Sequence, residues 1–366
     1  MSTLVGGTGI IGQDIFCSFG NGKYTTFEGT EIVAENCLGT KVRDLVIKGK
    51  TYQNLFGATL NQGHVISDSA SPQNRRVNSD GFTLDSTTYT ICVPSGYQVL
   101  VYVNYGNNSN KYIAWANKII WTNSATTNNI RIMVKKTDNS EITVDEVIGK
   151  IVLLEGDYTN IDIPNSINGI ESVSERENNV LSVKINDNTT TLNIPIPLRS
   201  LPNGVADTIE GNKLVQRVGK VVLDGTENWA LRVTSDDYLV YNCGGLNILK
   251  TSTDYGRSSQ KMICEQFAPS NISSMNSTAI TKEGICLRES GTGFILSISK
   301  NKLDTQNLAG FKSYLKSNPV TVTYELYSQI IHDLEIPSIS TTKGTNTITT
   351  TNNIKPKLSM KVKVEK

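Results

Sequence analysis

Gly96–Tyr105 reads GYQVLVYVNY, and this stretch determines the fold class more clearly than any other part of the chain. Its residues alternate with a period of two, and the two faces are Tyr97, Val99, Val101 and Val103 on one side and Leu100 and Tyr102 on the other. Alternation of β-branched and aromatic residues is typical of a β-strand that buries one face. The stretch therefore predicts a strand at the centre of a β-module.

The same period of two continues on both sides of this strand. Asn129–Lys135 places Ile130, Ile132 and Val134 on one face. Further short strands are predicted at Phe82–Val93, Tyr112–Thr122 and Lys150–Glu155, with no long helical periodicity between them. This spacing is typical of a β-sandwich, and it predicts a first β-module over residues 59–160.

The second half of the chain repeats this pattern. The predicted strands of a second β-sandwich module, residues 201–330, are Gly219–Leu223, Trp229–Val233, Tyr238–Tyr241, Leu246–Leu249, Gly284–Arg288, Gly293–Ser299 and Val320–Tyr327. The predicted fold class is therefore all-β, with tandem jelly-roll or β-sandwich modules.

One helix is predicted inside the second module, at Thr305–Ser317. Leu308, Phe311 and Leu315 share one face at helical spacing. Asp304 is the predicted N-cap, and Pro319 ends the helix because proline disfavours a helical residue before it. We expect this helix to close one end of the sandwich.

Three further segments complete the predicted domain organisation. Residues 1–58 form an N-terminal attachment segment, in which Val42–Tyr52 predicts a strand, a Lys-Gly turn and a second strand. Residues 161–200 form a connector with strands at Val180–Ile185 and Thr191–Ile196. Residues 331–366 form a C-terminal β-strand unit, whose last strand alternates apolar residues with lysines. The lysine row predicts a solvated edge strand, with a polyanion contact as the alternative.

Composition narrows the possible classes of function. The chain has 366 residues, with Lys+Arg 35 against Asp+Glu 34, so its net charge does not favour nucleic acid as a partner. No apolar run approaches the roughly 20 residues that span a bilayer, so membrane insertion is not expected. The N-terminus shows no signal-peptide pattern, which predicts synthesis in the cytoplasm without a leader. The six cysteines are widely spaced and are expected to be small buried thiols, with no metal and no cofactor.

Catalytic patterns are sparse. Gly7-Thr-Gly-Ile-Ile-Gly12 matches a dinucleotide-binding fingerprint, but a Gly-rich stretch follows where a helix is needed, so we expect no nucleotide. The two histidines, His64 and His332, carry no zinc-hydrolase motif. The adjacent acidic pairs are Asp145 with Glu146 and Asp236 with Asp237, and neighbouring strand positions point to opposite faces. The protein is therefore predicted not to be an enzyme, although a serine triad assembled from distant positions stays open.

Aromatic residues crowd the first module. Saccharides stack their C–H faces on such rings, and nearby amides bind their hydroxyl groups. The candidate glycan platform consists of Tyr97, Tyr105, Asn107, Asn108, Tyr112, Trp115 and Trp121. The alternative is that most of these rings pack in the core or between subunits.

Three stretches carry a family resemblance. They are LPNGVADTIEGNKLVQRVGKVVLDGTENW at Leu201–Trp229, NPVTVTYEL at Asn318–Leu326 and GTNTITTTNNIKPKLSMKVKV at Gly344–Val364. In this order they resemble segments of tail and baseplate proteins of bacteriophages that infect Gram-positive hosts. IKGKTYQN at Ile47–Asn54 is similar to a segment that precedes a β-sandwich in that family. IVLLEGDYT at Ile151–Thr159 resembles the closing strand of carbohydrate-binding jelly rolls.

The resemblance implies a structural component of a phage tail tip or baseplate, or of a phage-tail-like bacteriocin particle. Such a protein docks to other tail proteins and presents β-modules to the host surface, and it resides in the virion tail. The exposed strand edge and apolar face predicted at Leu358–Val364 also indicate self-association, which we expect to give a trimer. A carbohydrate-binding adhesin module and a tail-associated depolymerase are the two alternatives. An exposed aromatic platform would favour the first, and convergent carboxylates in a cleft would favour the second.

Overall fold

A computed structural model describes most of the chain. The described residues are 24–28, 31–34, 42–64, 72–104, 110–159, 163, 165–177, 179–185, 188–246, 261–270, 275, 280–288, 293–335, 346–350 and 356–361. Strands far outnumber helices among them, which confirms the predicted all-β class with one short helix in the second half.

The strands are β1 (Tyr24–Glu28), β2 (Glu31–Ala34), β3 (Val42–Lys48), β4 (Thr51–Gln53), β5 (Leu60–Gln62), β6 (Val77–Ser79), β7 (Phe82–Leu84), β8 (Thr88–Cys92), β9 (Tyr97–Asn104), β10 (Asn110–Ala116), β11 (Lys118–Thr122), β12 (Thr127–Lys136), β13 (Val152–Glu155), β14 (Ile170–Ser172), β15 (Val180–Ile185), β16 (Asn188–Asn193), β17 (Thr208–Glu210), β18 (Lys213–Leu223), β19 (Asn228–Thr234), β20 (Tyr238–Gly244), β21 (Met262–Cys264), β22 (Gly284–Leu287), β23 (Phe294–Ser299), β24 (Val320–Asp333), β25 (Asn346–Thr350) and β26 (Pro356–Lys361). Among the described residues, the α-helices are α1 (Val144–Val147) and α2 (Leu308–Ser317).

The chain forms two compact units. The central unit is Tyr52–Glu171, and the discontinuous unit combines Met1–Thr51 with Ser172–Lys366. The predicted first module, 59–160, lies within the central unit. The other predicted segments, 1–58, 161–200, 201–330 and 331–366, fall mainly in the discontinuous unit. They belong together there because β3 pairs with both β17 and β26, which joins strands from far apart in the sequence into one sheet.

The central unit is a sandwich of two antiparallel sheets. The larger sheet has the order β10-β9-β12-β6-β5, with β7 also paired to β12, and the smaller sheet has the order β11-β8-β13. Their facing side chains form one buried core that includes Val99, Val101, Val103, Ile130, Ile132, Val134, Ile91, Ile119 and Leu153. The alternation seen in the sequence therefore gives each strand one inward face, as predicted for β9 and β12.

The described residues of the discontinuous unit form three sheets. Their strand orders are β1-β26-β3-β17-β18-β24-β21, β16-β15-β25-β2 and β19-β20-β23-β22. A large core lies between residues of the first sheet, the third sheet and α2. Phe311 and Leu315 are fully buried on one face of α2, as the helical spacing predicted. Burial of that apolar face, at about 25 cal/mol per Å², is the main force that holds the helix against the strands.

The predicted helix start is wrong by three residues. Asn307, and not Asp304, caps α2, because its side-chain oxygen accepts a hydrogen bond from the Gly310 N–H at 3.0 Å. Asn and Asp are equally good N-caps, so local backbone geometry decides between them. The predicted end is correct, since α2 finishes at Ser317 before Asn318 and Pro319.

The C-terminal strand is not an edge strand, contrary to the prediction from its lysine row. β26 pairs with β1 on one side and with β3 on the other. Self-association through a free edge of this strand therefore loses its basis, although the predicted trimer stays a prediction. Alternation shows that a strand has two faces, but it does not show whether neighbours occupy both of its edges.

Candidate functional site

The most distinctive surface among the described residues is the side of the larger central-unit sheet that faces away from the core. β9 turns Val99, Val101 and Val103 towards the core, so Leu100 and Tyr102 lie on the opposite face. Leu100 and Met133 form a small apolar cluster there, against which other side chains pack. We refer to this side of the sheet as the outer face.

Two tyrosines stack on the outer face. Tyr112 of β10 lies directly opposite Tyr102 of β9 in the register of the two strands. Their ring centroids are 4.9 Å apart at an interplanar angle of 34°. Tyr112 is 48% exposed, whereas Tyr102 is only partly exposed. The pair therefore presents one aromatic ring to solvent and braces it with the other.

Trp115 joins this face through a β-bulge. The register of β10 against β9 shifts between Ile113, which faces Val101, and Ala116, which faces Val99. Strict alternation from Tyr112 would turn Trp115 inward, but the extra residue reverses the order. Ile113 and Ala116 pack against the inner core, and Trp115 packs against Leu100 and Met133 outside.

Cationic side chains surround Trp115 and the tyrosine pair. The Lys135 Nζ lies 4.8 Å from the Trp115 ring centroid, and the Arg76 guanidinium carbon lies 5.4 Å from it. Arg131 stands opposite Tyr102 in the register of β12 with β9. Cation–π contacts of this kind hold the indole ring across the sheet.

Only part of the predicted glycan platform comes together. Tyr112 and Trp115 share the outer face. Tyr97 shares the inward face of β9 and lies at its end, where its hydroxyl donates to Glu146 Oε2 at 3.4 Å and Lys150 Nζ lies 5.9 Å from its ring. Trp121 is 5% exposed and packs against the Tyr89 ring in the core, so it offers no surface for stacking. Tyr105, Asn107 and Asn108 lie outside the described residues.

The predicted set lacked four residues of the outer face: Tyr102, Arg76, Arg131 and Lys135. The alternation of β9 already placed Tyr102 opposite the buried valines, and the same rule places Arg131 and Lys135 opposite Ile130, Ile132 and Val134. Arg76 carried no such signal because it precedes the short strand β6. Face assignment would therefore have found three of the four.

The acidic pairs considered for catalysis lie in turns. Asp145 and Glu146 belong to the single turn of α1 and not to a strand, and Glu146 caps that turn through the Thr143 N–H and pairs with Lys136 at 2.7 Å. Asp236 and Asp237 are both exposed between β19 and β20. Among the residues described, no group of three or more His, Cys, Asp or Glu side chains is placed to hold a metal ion.

The described thiols are poor nucleophiles. Cys92, Cys243, Cys264 and Cys286 are thiols that form no disulfide. Burial raises the pKa of Cys243 to about 11 and the pKa of Cys264 to about 11. Since the thiolate is the reactive form, both groups are almost fully protonated near neutral pH. This fits the expectation that they are packing residues.

Both histidines contact a glutamine side chain close by. The His332 Nε2 lies 3.2 Å from Gln216 Oε1 on the neighbouring strand β18. The backbone N–H of His64 donates to Gln73 Oε1. The His64 ring Nδ1 is buried without a partner in the described part of the chain. The Gly7–Gly12 fingerprint lies outside the described residues.

None of the described helices is long and apolar enough to cross a membrane.

Comparison with known proteins adds no relatives to this picture. No family model, no curated protein and no solved structure matches this chain.

Proposed function

We propose that the outer face of the central unit binds a saccharide, and that the chain is a non-enzymatic structural component of a phage tail tip, baseplate or related bacteriocin particle. The observation that supports saccharide binding is the stacked pair of Tyr102 and Tyr112, with Tyr112 48% exposed on the same side of the sheet as Trp115.

Stacking on an exposed tyrosine suits a saccharide for two reasons. The C–H face of a sugar ring is apolar and covers an aromatic ring, while its hydroxyl groups stay free to hydrogen-bond with polar neighbours. Gln98 lies on this sheet opposite Lys135, and Asn78, whose amide nitrogen donates to the Gly63 carbonyl at 3.0 Å, lies opposite Met133. The bracing of Tyr112 by Tyr102 also reduces the rotamer entropy that the ring loses when it binds a ligand.

The particle role is supported by the resemblance of Leu201–Trp229, Asn318–Leu326 and Gly344–Val364 to phage tail proteins. In the described part of the chain, the first two stretches contribute β17, β18 and β24 to one sheet, and the third contributes β26 to the same sheet. These stretches therefore carry the scaffold, while the candidate binding surface belongs to the central unit. That division suits a protein that attaches by one part and recognises its target by another.

A matched pair of tyrosine variants tests saccharide binding. Tyr112→Ala removes the exposed ring of the outer face, and Tyr327→Ala removes a ring that is 58% exposed in the discontinuous unit. We expect Tyr112→Ala to weaken binding to a panel of bacterial cell-wall polysaccharides roughly tenfold, since a lost aromatic stack costs about 1–1.5 kcal/mol. Tyr327→Ala should bind as the unchanged protein does. Equal binding by all three proteins would contradict the proposal.

Two further measurements address the particle and the chemistry. Immunogold labelling of intact particles with an antibody to this chain should mark the tail tip or baseplate, and labelling confined to free protein would contradict the particle role.

Incubation of this chain with purified cell wall should release no reducing sugar. Release above that of a heat-denatured sample would favour the depolymerase alternative.

A further inference from the structure

The outer face is positively charged as well as aromatic. Along β12, alternation places Arg131 and Lys135 on this face, opposite Tyr102 and Gln98 of β9. Neither cation forms an ion pair with a carboxylate in the part of the chain that the structure describes. Asp80 lies at the margin of the face, and its Oδ1 accepts a hydrogen bond from the Asn61 amide at 2.8 Å.

The next lysine along the strand shows the opposite arrangement. Lys136 follows Lys135 directly, so it belongs to the other face of β12. Its Nζ pairs with Glu146 Oε2 at 2.7 Å, and the Glu146 hydrogen bond raises the pKa of Lys136. The same strand thus carries one lysine with a carboxylate partner and one that is held over the Trp115 ring. On β12, the two cations without a carboxylate partner among the described residues, Arg131 and Lys135, therefore both lie on the outer face.

Two separated cations favour a ligand with more than one negative charge. Arg131 and Lys135 are four residues apart, which places their Cα atoms about 13 Å apart along an extended strand. A single carboxylate or phosphate does not span that distance between both side chains and the tyrosine pair. A chain of sugar units with repeated negative charges does, and its sugar rings also supply faces to stack on Tyr112.

We infer that the ligand of the outer face is an anionic polysaccharide that carries phosphate or carboxylate groups, and that Arg131 and Lys135 bind those groups. This inference rests on the proposed function of the same face. The cations determine which saccharides bind, while Tyr112 provides the stacking contact common to saccharides in general. Charge-assisted contacts between Arg or Lys and carboxylate or phosphate are stronger than neutral hydrogen bonds.

The test uses glycans that differ only in charge. The full-length chain is titrated against a polysaccharide panel in which each neutral member is paired with its carboxylated and phosphorylated derivatives, including dextran, carboxymethyl dextran and dextran phosphate. We expect at least one derivative to bind roughly tenfold more tightly than its neutral parent, which corresponds to about one charge-assisted contact. That advantage should decline between about 50 mM and about 500 mM salt, because surface charges are screened.

The variants identify the surface responsible. Arg131→Gln combined with Lys135→Gln should remove the preference for charged derivatives and still unfold in one cooperative transition. Lys136→Gln neutralises the adjacent lysine on the other face and should retain the preference. The derivative that binds more tightly shows whether carboxylate or phosphate is the natural group.

Two outcomes separate this inference from the proposal on which it rests. Equal binding of neutral and charged members, with loss in Tyr112→Ala, overturns the inference and leaves saccharide binding intact. A charge preference that survives the double variant also overturns it, since the cations then lie elsewhere. No binding to any panel member contradicts both proposals.

Discussion

Two aromatic clusters of this protein have opposite surroundings. In the discontinuous unit, Phe311 stacks on Tyr241 with centroids 4.0 Å apart and meets the edge of Trp229 at 5.0 Å, and all three are buried. In the central unit, Tyr112 and Tyr102 stack at 4.9 Å on a sheet face that stays open to solvent. Both clusters combine rings from separate elements. The difference is that a helix covers the first, and no described element covers Tyr112.

The polar atoms of the two clusters are handled differently as well. The Trp229 Nε1 donates to Glu227 Oε2 at 2.8 Å, and Glu227 also accepts from the backbone N–H groups of Asp224 and Gly225. The indole of the buried cluster is therefore hydrogen-bonded inside the protein, whereas the Tyr241 hydroxyl is buried with no partner in the described part of the chain. On the outer face, by contrast, Tyr112 is 48% exposed. Aromatic crowding in a sequence thus indicates a function only where the rings stay uncovered.

Removal of a ring should separate the clusters most sharply. Phe311→Ala removes a side chain that is 0% exposed, and we expect it to lower the free energy of unfolding by about 3–5 kcal/mol. Tyr112→Ala should lower it by less than about 1 kcal/mol, because a half-exposed ring leaves no cavity. Urea unfolding of both variants measures the difference. Similar losses in both would show that the outer face is a second core and not a surface.

The turn that leads into the buried cluster offers a smaller effect. Gly225 has φ +88°, and a Cβ there would lie 2.4 Å from the Lys312 backbone oxygen of α2. Gly225→Ala should therefore cost roughly 2–4 kcal/mol, from the left-handed backbone and the clash together. Gly211→Ala is the matched control, since Gly211 has φ +61° with nothing within 4 Å, and it should cost only about 1–2 kcal/mol. Calorimetric unfolding that shows equal losses would mean that α2 shifts freely.

Glu175, a carboxylate of the discontinuous unit, has a pKa well below its ordinary value. Burial alone would raise its pKa, but hydrogen bonds from Lys220, the Ser172 N–H and Arg199 together lower it to about 2. A lowered carboxyl pKa stabilises the fold above the ordinary value of 4.5, and that stabilisation is lost as pH falls from about 5 towards 2. We expect Glu175→Gln to cost roughly 2 kcal/mol at pH 7, and its difference from the unchanged protein to shrink as the pH falls.

A second carboxylate provides the control for this pH dependence. Glu210 also has a lowered pKa, through the Thr208 hydroxyl and Arg217, but its side chain is 47% exposed. Glu210→Gln should therefore show the same direction with a smaller amplitude, because solvent screens the pair. Urea unfolding of each variant between about pH 7 and about pH 3 measures both curves. A pH-independent difference for Glu175→Gln would contradict its role as a stabilising anion.

Much of the fold could be predicted from the sequence. Alternation located β9 and β12 and assigned their buried faces, and the spacing of Leu308, Phe311 and Leu315 located α2. These predictions succeed because strand and helix periods are local properties of the chain. The position of β26 could not be predicted, since its neighbours β1 and β3 come from the opposite end of the sequence.

The candidate site was predictable only in part. Trp115 and Trp121 lie six positions apart in similar surroundings, yet one lies on the outer face and the other in the core. Nothing in their local sequence distinguishes them, because burial depends on which sheet packs opposite. Tyr102 was accessible to sequence reasoning, since its parity within β9 is opposite to that of the buried valines.

The sequence by itself determined the all-β class, the two faces of long strands such as β9 and β12, and the helix α2, because these follow from side-chain periodicity along one segment. Only the tertiary structure decided which face of β10 carries Trp115. There, a bulge between Ile113 and Ala116 reverses the alternation, and such an extra residue is defined by the register with the partner strand β9. The tertiary structure also decided which aromatic cluster stays open, because covering a ring requires an element that is distant in sequence.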